Sequence, residues 1–378
     1  MTKTTKYLSF FGLVFLTSLS LNSCKDDSKE VVPENKNTVP EFYKAAPDGE
    51  YGKTGPSFAD IADASKQISM PQDLDFNKTR NNELWVLNLG TESTGGTTVI
   101  ISNAGQADQG TEYRKDQNSW HFMSLPTGIA FSNNGNWATA PGIKDANHRG
   151  GTFTGPTLWS SDLNIYAKPS GGNGSHLDML HGSPYSMGIE SEQANIFGVF
   201  DGYNKHLVRY DFGADHGAGN SYHDDGRVKR YTDMELTRDP LIPSHIVLDE
   251  DKKWMYVVDG GTQRILKLDI TTGSKLRNIP RINETLAEHS EITGSDWKQF
   301  VGASFGLKKP CGIEIRKDRL FVSDYETGEI ICFDVSNGYE IGRINTGAKG
   351  ITGIKIGPDN KIWFTNALTN KVGRVDPN

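Results

Sequence analysis

The chain has 378 residues, with 40 Lys and Arg against 47 Asp and Glu and a formal net charge of −7. Its basic residues do not cluster, which argues against a nucleic-acid partner. The 41 glycines, with seven tryptophans and 13 tyrosines, point to many turns and many strands, and all-β folds can run past the usual length of one domain.

At the start, Lys3 and Lys6 flank the beginning of a short apolar run over 7–21. The run is shorter than the ~20 residues of a membrane-spanning helix and has the length of a signal-peptide core. Residues 1–23 are therefore expected to be a cleaved signal peptide, the alternative being an uncleaved anchor. Leu21-Asn22-Ser23-Cys24 resembles the lipobox of bacterial lipoproteins. That resemblance implies cleavage before Cys24 and acylation of its thiol and amino group, palmitate included, with the lipid holding the protein to a membrane. At roughly 0.8 kcal/mol per buried methylene, several chains anchor firmly. Lys25-Asp26-Asp27 resembles the surface-export tag of some Gram-negative lipoproteins, which implies the outer membrane and surface display. Residues 24–56 are polar, with Pro33, Pro40, Pro47 and Pro56. Such a segment buries too little to order itself, so a flexible lipidated tether is expected, followed by the folded part over 57–378.

The folded part is internally repetitive. Six segments share a leading turn and a short aliphatic strand: Pro71-Gln72-Asp73-Leu74-Asp75-Phe76, Pro126-Thr127-Gly128-Ile129-Ala130-Phe131, Pro184-Tyr185-Ser186-Met187-Gly188-Ile189, Pro243-Ser244-His245-Ile246-Val247-Leu248, Pro310-Cys311-Gly312-Ile313-Glu314-Ile315 and Gly350-Ile351-Thr352-Gly353-Ile354-Lys355-Ile356. In the fourth, a polar turn over 249–253 leads to Trp254-Met255-Tyr256-Val257-Val258-Asp259, and the turn Gly260-Gly261-Thr262-Gln263 leads to Arg264-Ile265-Leu266-Lys267-Leu268-Asp269. These are β-branched and aromatic runs of alternating character, hence strands.

The unit resembles the NHL repeat, one four-stranded blade of a β-propeller, and residues 356–365 also resemble blades of the virginiamycin B lyase type. The resemblance implies an all-β, six-bladed ring over about 60–377. Stacked blades bury one another's faces, and radial closure protects the edges. Because the chain ends after a third strand, residues 57–69 are expected to supply the missing outer strand of blade six. The intervals Pro126–Pro184, Pro184–Pro243 and Pro243–Pro310 exceed one blade, so their excess should be loops, where function usually resides.

Three of the nine histidines, His121, His181 and His245, fall just before or at the start of the inner strands of blades two, three and four, positions that face the channel of a propeller. Imidazoles converging on the channel mouth suit zinc or copper. The arrangement is similar to that of peptidyl-α-hydroxyglycine amidating lyase, a six-bladed propeller with a three-histidine zinc centre. Residues 121–127 resemble one of its metal-binding segments. The other two ligands of that family directly follow the leading proline; here His245 stands one residue later and blade six has no histidine, so His181 takes the third place. A second possible metal loop runs over 211–226, with Asp215, His216, His223 and Asp225 among glycines. Its oxygen donors suit calcium and its histidines a transition metal. Residues 140–159 could form a lid, and 283–300 is predicted to be helical. Cys311 and Cys332, on non-adjacent strands of one blade, are expected to be buried thiols.

These features support two function classes. The first is a binding module at a membrane, recognising a protein, peptide or glycan. The alternative is a metal-dependent lyase or hydrolase, in which the ion polarises a substrate oxygen or activates water. A third, lactonase-like reading requires calcium in the channel. No Gly-x-Ser-x-Gly elbow and no definable catalytic base is present, which places the binding reading first.

Overall fold

The computed structural model describes residues 39–44, 55–168, 172–280 and 284–378. Cys24 and the segment expected to be the signal peptide lie outside the described residues. Among those described, no helix is long and apolar enough to cross a membrane.

Six sheets make up the fold, five of them wholly antiparallel and one carrying a single parallel pair. Blade one starts at Pro71–Phe76, blade two at Pro126–Phe131 and blade three at Ser186–Gln193. Blades four, five and six start at Ile246–Asp249, Pro310–Arg316 and Ile351–Ile356. Each of these inner strands packs on the next, and the last packs on the first, so the ring is closed. Alternation along the strands sends one set of side chains into each seam between blades. The result is six apolar clusters, one per seam. Trp85, Trp137, Trp159 and Tyr166 fill the seam of blades one and two, with Trp85 and Trp137 ring centroids 5.1 Å apart.

Ser57–Ala62 pairs antiparallel with Lys371–Asp376, with Phe58 opposite Val375. The expected clasp is present: the two ends of the propeller share one blade, which satisfies the edge that the last strand would otherwise expose.

Two expectations need correction. Residues 283–300 are not helical: Glu288–Thr293 and Trp297–Val301 are strands. Glu288–Thr293 runs parallel to Arg227–Tyr231 and is followed outward by Ser274–Asn278, so a hairpin inserted in blade four extends blade three to six strands. The open edge of Arg227–Tyr231 offers a row of backbone partners, and that tertiary demand overrides local helix propensity. The second correction concerns 39–44, expected to be part of the tether. Val39 and Phe42 are completely buried in the seam of blades five and six, where Phe42 meets Phe321 edge-on at 5.6 Å. Glu41 accepts two hydrogen bonds from the Arg319 guanidinium, at 2.8 and 2.9 Å. Cys311 and Cys332 are buried free thiols, as expected.

Candidate functional site

The axis of the ring is lined by repeat positions that the inner strands hold in common. Four blades carry glycine at one position, Gly128, Gly188, Gly312 and Gly353, while blades one and four carry Asp73 and His245 there. The glycines let neighbouring strands approach: a Cβ at Gly353 would lie 2.4 Å from Asp73 Oδ1. Two residues later stand Asp75, Ala130, Glu190, Val247, Glu314 and Lys355. Lys355 Nζ lies 3.1 Å from Glu190 Oε2 and 3.5 Å from Glu314 Oε2. Asp73 and Asp75 accept the inner-strand N–H groups of Ile129 and Phe131 at 3.0 and 2.7 Å.

One ammonium thus faces four buried carboxyls. Burial pushes Asp73 up to about 8 and Glu314 up to about 7, and raises Asp75 as well. Burial opposes the charge on Lys355, yet Glu190 and Glu314, then Asp75 and Asp73, hold it well above the usual ammonium range. His245 is forced by burial down to about 4. Its Nε2–H donates to the Thr127 carbonyl at 2.8 Å, leaving Nδ1 3.5 Å from the Asp73 carboxyl. This network of charged and hydrogen-bonded groups links the inner strands of the blades across the axis.

A second cluster lies where blades two and three meet. His181 follows the outer strand His176–Met179 of blade two, His223 belongs to the loop before Arg227–Tyr231, and Glu284 comes from the inserted hairpin of blade four. Glu284 Oε2 lies 2.5 Å from His181 Nδ1 and 3.9 Å from His223 Nε2. His223 Nδ1 lies 2.6 Å from Asp178 Oδ1. Burial raises the Asp178 carboxyl. Burial works against a proton on His223, but the Asp178 contact outweighs it and raises the imidazole. His181 packs against Phe153 with centroids 3.6 Å apart and the rings tilted by 37°, and Phe153 lies 6.1 Å from the His121 ring. Burial lowers His121, whose Nδ1 donates to the Ala146 carbonyl at 2.9 Å.

Beside His121 the surface opens. A groove of about 570 Å³ is lined by Thr91, Glu92, Ser93, Trp120 and His148. Trp120 is 39% exposed and lies 5.8 Å from the His148 ring at a tilt of 32°. His148 is held by Glu92 Oε1 at 3.2 Å and by the Trp120 carbonyl at 3.3 Å. Trp120 belongs to the short helix Ser119–Phe122, and His148 to the expected lid. An aromatic face, a carboxylate and hydroxyls therefore share one open concavity.

The predicted metal residues fall into three places. His245 sits in the channel, while His121 and His181 flank Phe153 outside it. The loop set divides too: His216 Nε2 lies 3.1 Å from Asp225 Oδ2, Asp215 accepts its own loop's Gly217 N–H at 2.8 Å, and His223 joins Asp178 and Glu284. Among the described residues no group of three or more His, Cys, Asp or Glu side chains is placed so that it could hold a metal ion. The channel residues Asp73, Asp75, Glu190, Glu314 and Lys355 are not among the predicted site residues, although a charge inside an aliphatic inner strand at one fixed repeat position is a legible signal. Glu284 carries no such signal, because its place depends on the hairpin returning to blade three.

No protein-family model matches the chain, and no curated protein matches it. Solved structures do. A luciferin-regenerating enzyme is similar with a TM-score of 0.55 and 12% identity, over 85% of this chain and 95% of that one. An auxiliary nutrient binding protein from Bacteroides thetaiotaomicron VPI-5482 has a TM-score of 0.54 and 11% identity, over 87% and 81% of the two chains. Another, from Bacteroides ovatus ATCC 8483, has 0.54 and 10%, over 88% and 82%. At such identities the likeness is one of fold, and the chain is a six-bladed β-propeller.

Proposed function

We propose that this chain is an extracytoplasmic binding propeller, anchored by lipid on Cys24, that takes a glycan in the groove beside Trp120. The observation that carries the reading is the half-exposed Trp120 face set against Glu92, Ser93 and Thr91 in an open groove. A sugar ring offers an apolar face and a rim of hydroxyls, and this wall offers the complement: an aromatic surface for the one, acceptors and donors for the other. Two propellers of the same fold are named auxiliary nutrient binding proteins, which agrees with capture rather than conversion. The lipobox-like Leu21-Asn22-Ser23-Cys24 supports the anchor.

Glycan-array screening of the full-length protein in detergent, followed by calorimetry on the hits, tests the site. Trp120→Ala should weaken binding at least about tenfold, equivalent to ~1.4 kcal/mol, and Glu92→Gln should weaken it less. Binding unchanged in Trp120→Ala would overturn the assignment. The anchor is checked separately: Cys24→Ser should move the protein from the membrane to the soluble fraction.

A further inference from the structure

We propose an oxyanion site at the rim of the seam between blades four and five, formed by Lys267, Lys298 and Tyr256 around Trp254, that takes a sulfate group, free or borne on a sugar. It belongs to other blades than the Trp120 groove and does not depend on it.

Lys267 lies on the third strand of blade four, Arg264–Asp269, and Lys298 lies directly opposite it on the outer strand Trp297–Val301. Residues paired in this way share one face of the sheet, and like charges so placed repel each other. The two ammoniums also converge. Lys267 Nζ stands 4.9 Å from the centre of the Trp254 ring, and Lys298 Nζ 5.5 Å from the centre of the same ring. Phe300 and Tyr256 complete the aromatic wall around Lys267, at 4.8 and 5.3 Å. Trp254 and Phe300 are only partly buried against the cluster that fills the seam. One cation over a ring is an ordinary favourable contact; a second over the same ring meets the repulsion of the first.

Among the described residues neither ammonium makes an ion pair. Blade six shows the usual arrangement, in which Lys371 of the third strand meets Asp60 of the outer strand at 2.5 Å. Lys267 is half-buried. Burial, followed by Lys298 and Lys252, lowers its ammonium, while Asp249 and Asp296 act more weakly in the other direction. Asp249 already faces Lys252 at 3.5 Å. Tyr256 accepts a hydrogen bond from Lys267 at 3.5 Å, and its own hydroxyl hydrogen meets no acceptor among the described residues. The place therefore holds two cations and a phenol donor with no anion to match. A sulfate supplies the match: it carries two negative charges, or one when esterified to a sugar, and its oxygens accept charge-assisted hydrogen bonds from several directions.

The test uses full-length Trp120→Ala protein in detergent, so that the groove contributes nothing. Calorimetric titration compares sodium sulfate, N-acetylglucosamine 6-sulfate and N-acetylglucosamine at one fixed ionic strength, which holds screening constant. The sulfated sugar should bind at least about tenfold more tightly than the plain one, a difference of ~1.4 kcal/mol. Sulfate alone binding as tightly as the sulfated sugar supports the site and identifies a free anion as its ligand; tighter binding of the sulfated sugar supports it and identifies a sugar-borne one. Lys298→Ala and Lys267→Met should each weaken binding at least about tenfold, and Lys371→Ala, on blade six, should not. Lys298 is exposed, so its variants should fold. Lys298→Glu gives Lys267 the carboxylate partner that it lacks, so binding should be lost while the unfolding temperature holds or rises. No binding of either sulfate or the sulfated sugar overturns the site. So does binding that survives in Lys298→Glu, or an unfolding temperature lowered by that change, which would mean that the two lysines do not repel.

Discussion

Lys355 of blade six places its Nζ 3.1 Å from Glu190 of blade three, joining strands on opposite sides of the ring. Glu314 of blade five stands 3.5 Å from the same nitrogen. The channel is therefore held by charge as well as by seam packing. Lys355→Met would leave Glu190, Glu314, Asp73 and Asp75 facing one another with no cation among them. Removing one partner of a buried pair costs about 3–5 kcal/mol. Because the same carboxyls can take up protons, the loss should be smaller at acid pH than at alkaline pH. Denaturant unfolding at both ends of that range measures it. An equal loss at both would show that the lysine stabilises by packing alone.

The pH dependence of the unmodified protein depends on two opposed sets of groups. Asp73 and Glu314 are raised by burial to about 8 and about 7. Each binds its proton more tightly folded than unfolded. Their contribution is present below the unfolded values and is lost as pH rises through 7 to 8. Burial lowers His176, His245 and His289 to about 4. Their contribution is present above the unfolded value of 6.5 and is lost as pH falls toward 4. As pH rises above 6.5 these three histidines become neutral in both states, and toward 8 the carboxyls dominate. Stability should therefore decline across that window, and Asp73→Asn should flatten the decline. Urea midpoints across the window check the sign; a rise would refute it.

Residues 39–44 should behave as part of the propeller. Phe42 is fully buried against Phe321, and Phe→Ala in a core costs about 3–5 kcal/mol. Removing residues 1–38 should leave the unfolding temperature nearly unchanged, whereas removing 1–44 or introducing Phe42→Ala should lower it by several degrees. Calorimetry of the three variants distinguishes a docked segment from a tether that merely passes by.

The blades are legible in the sequence because their signals are local: alternating β-branched runs, polar turns between them, and a recurring leading turn. The clasp is legible from arithmetic on strands, since a last blade ending at its third strand must borrow a fourth. Glu288–Thr293 defeats a local reading because its residues are compatible with a helix, and only the open edge of Arg227–Tyr231, distant in sequence, selects the strand. The histidines do lie in loops, but their grouping is not a matter of spacing. His181 pairs with Glu284, 103 positions away, and nothing in the spacing of histidines alone announces a carboxylate partner. In the channel the signal exists: Glu190, Glu314 and Lys355 each follow a Gly-Ile pair, and a charge so placed must find an opposite charge at the axis.

Gly353 tests the closeness of the inner strands. A Cβ there would lie 2.4 Å from Asp73 Oδ1 and 2.7 Å from Asp73 Cα. The first contact belongs to a side chain and the second to the backbone of a neighbouring blade, so the strands themselves must separate. Forcing a methyl group into a packed core typically costs about 1–3 kcal/mol. Gly353→Ala should reach that range, while Gly172→Ala, with nothing within 4 Å, should stay within about 0.5 kcal/mol of the unmodified protein. Adding Asp73→Ala removes the oxygen but not the Cα, so it should recover part of the loss and no more. The double-mutant cycle should then show a coupling of about 0.5–3 kcal/mol, as residues in contact do. Simple additivity would mean that blades one and six are not pressed together at the axis.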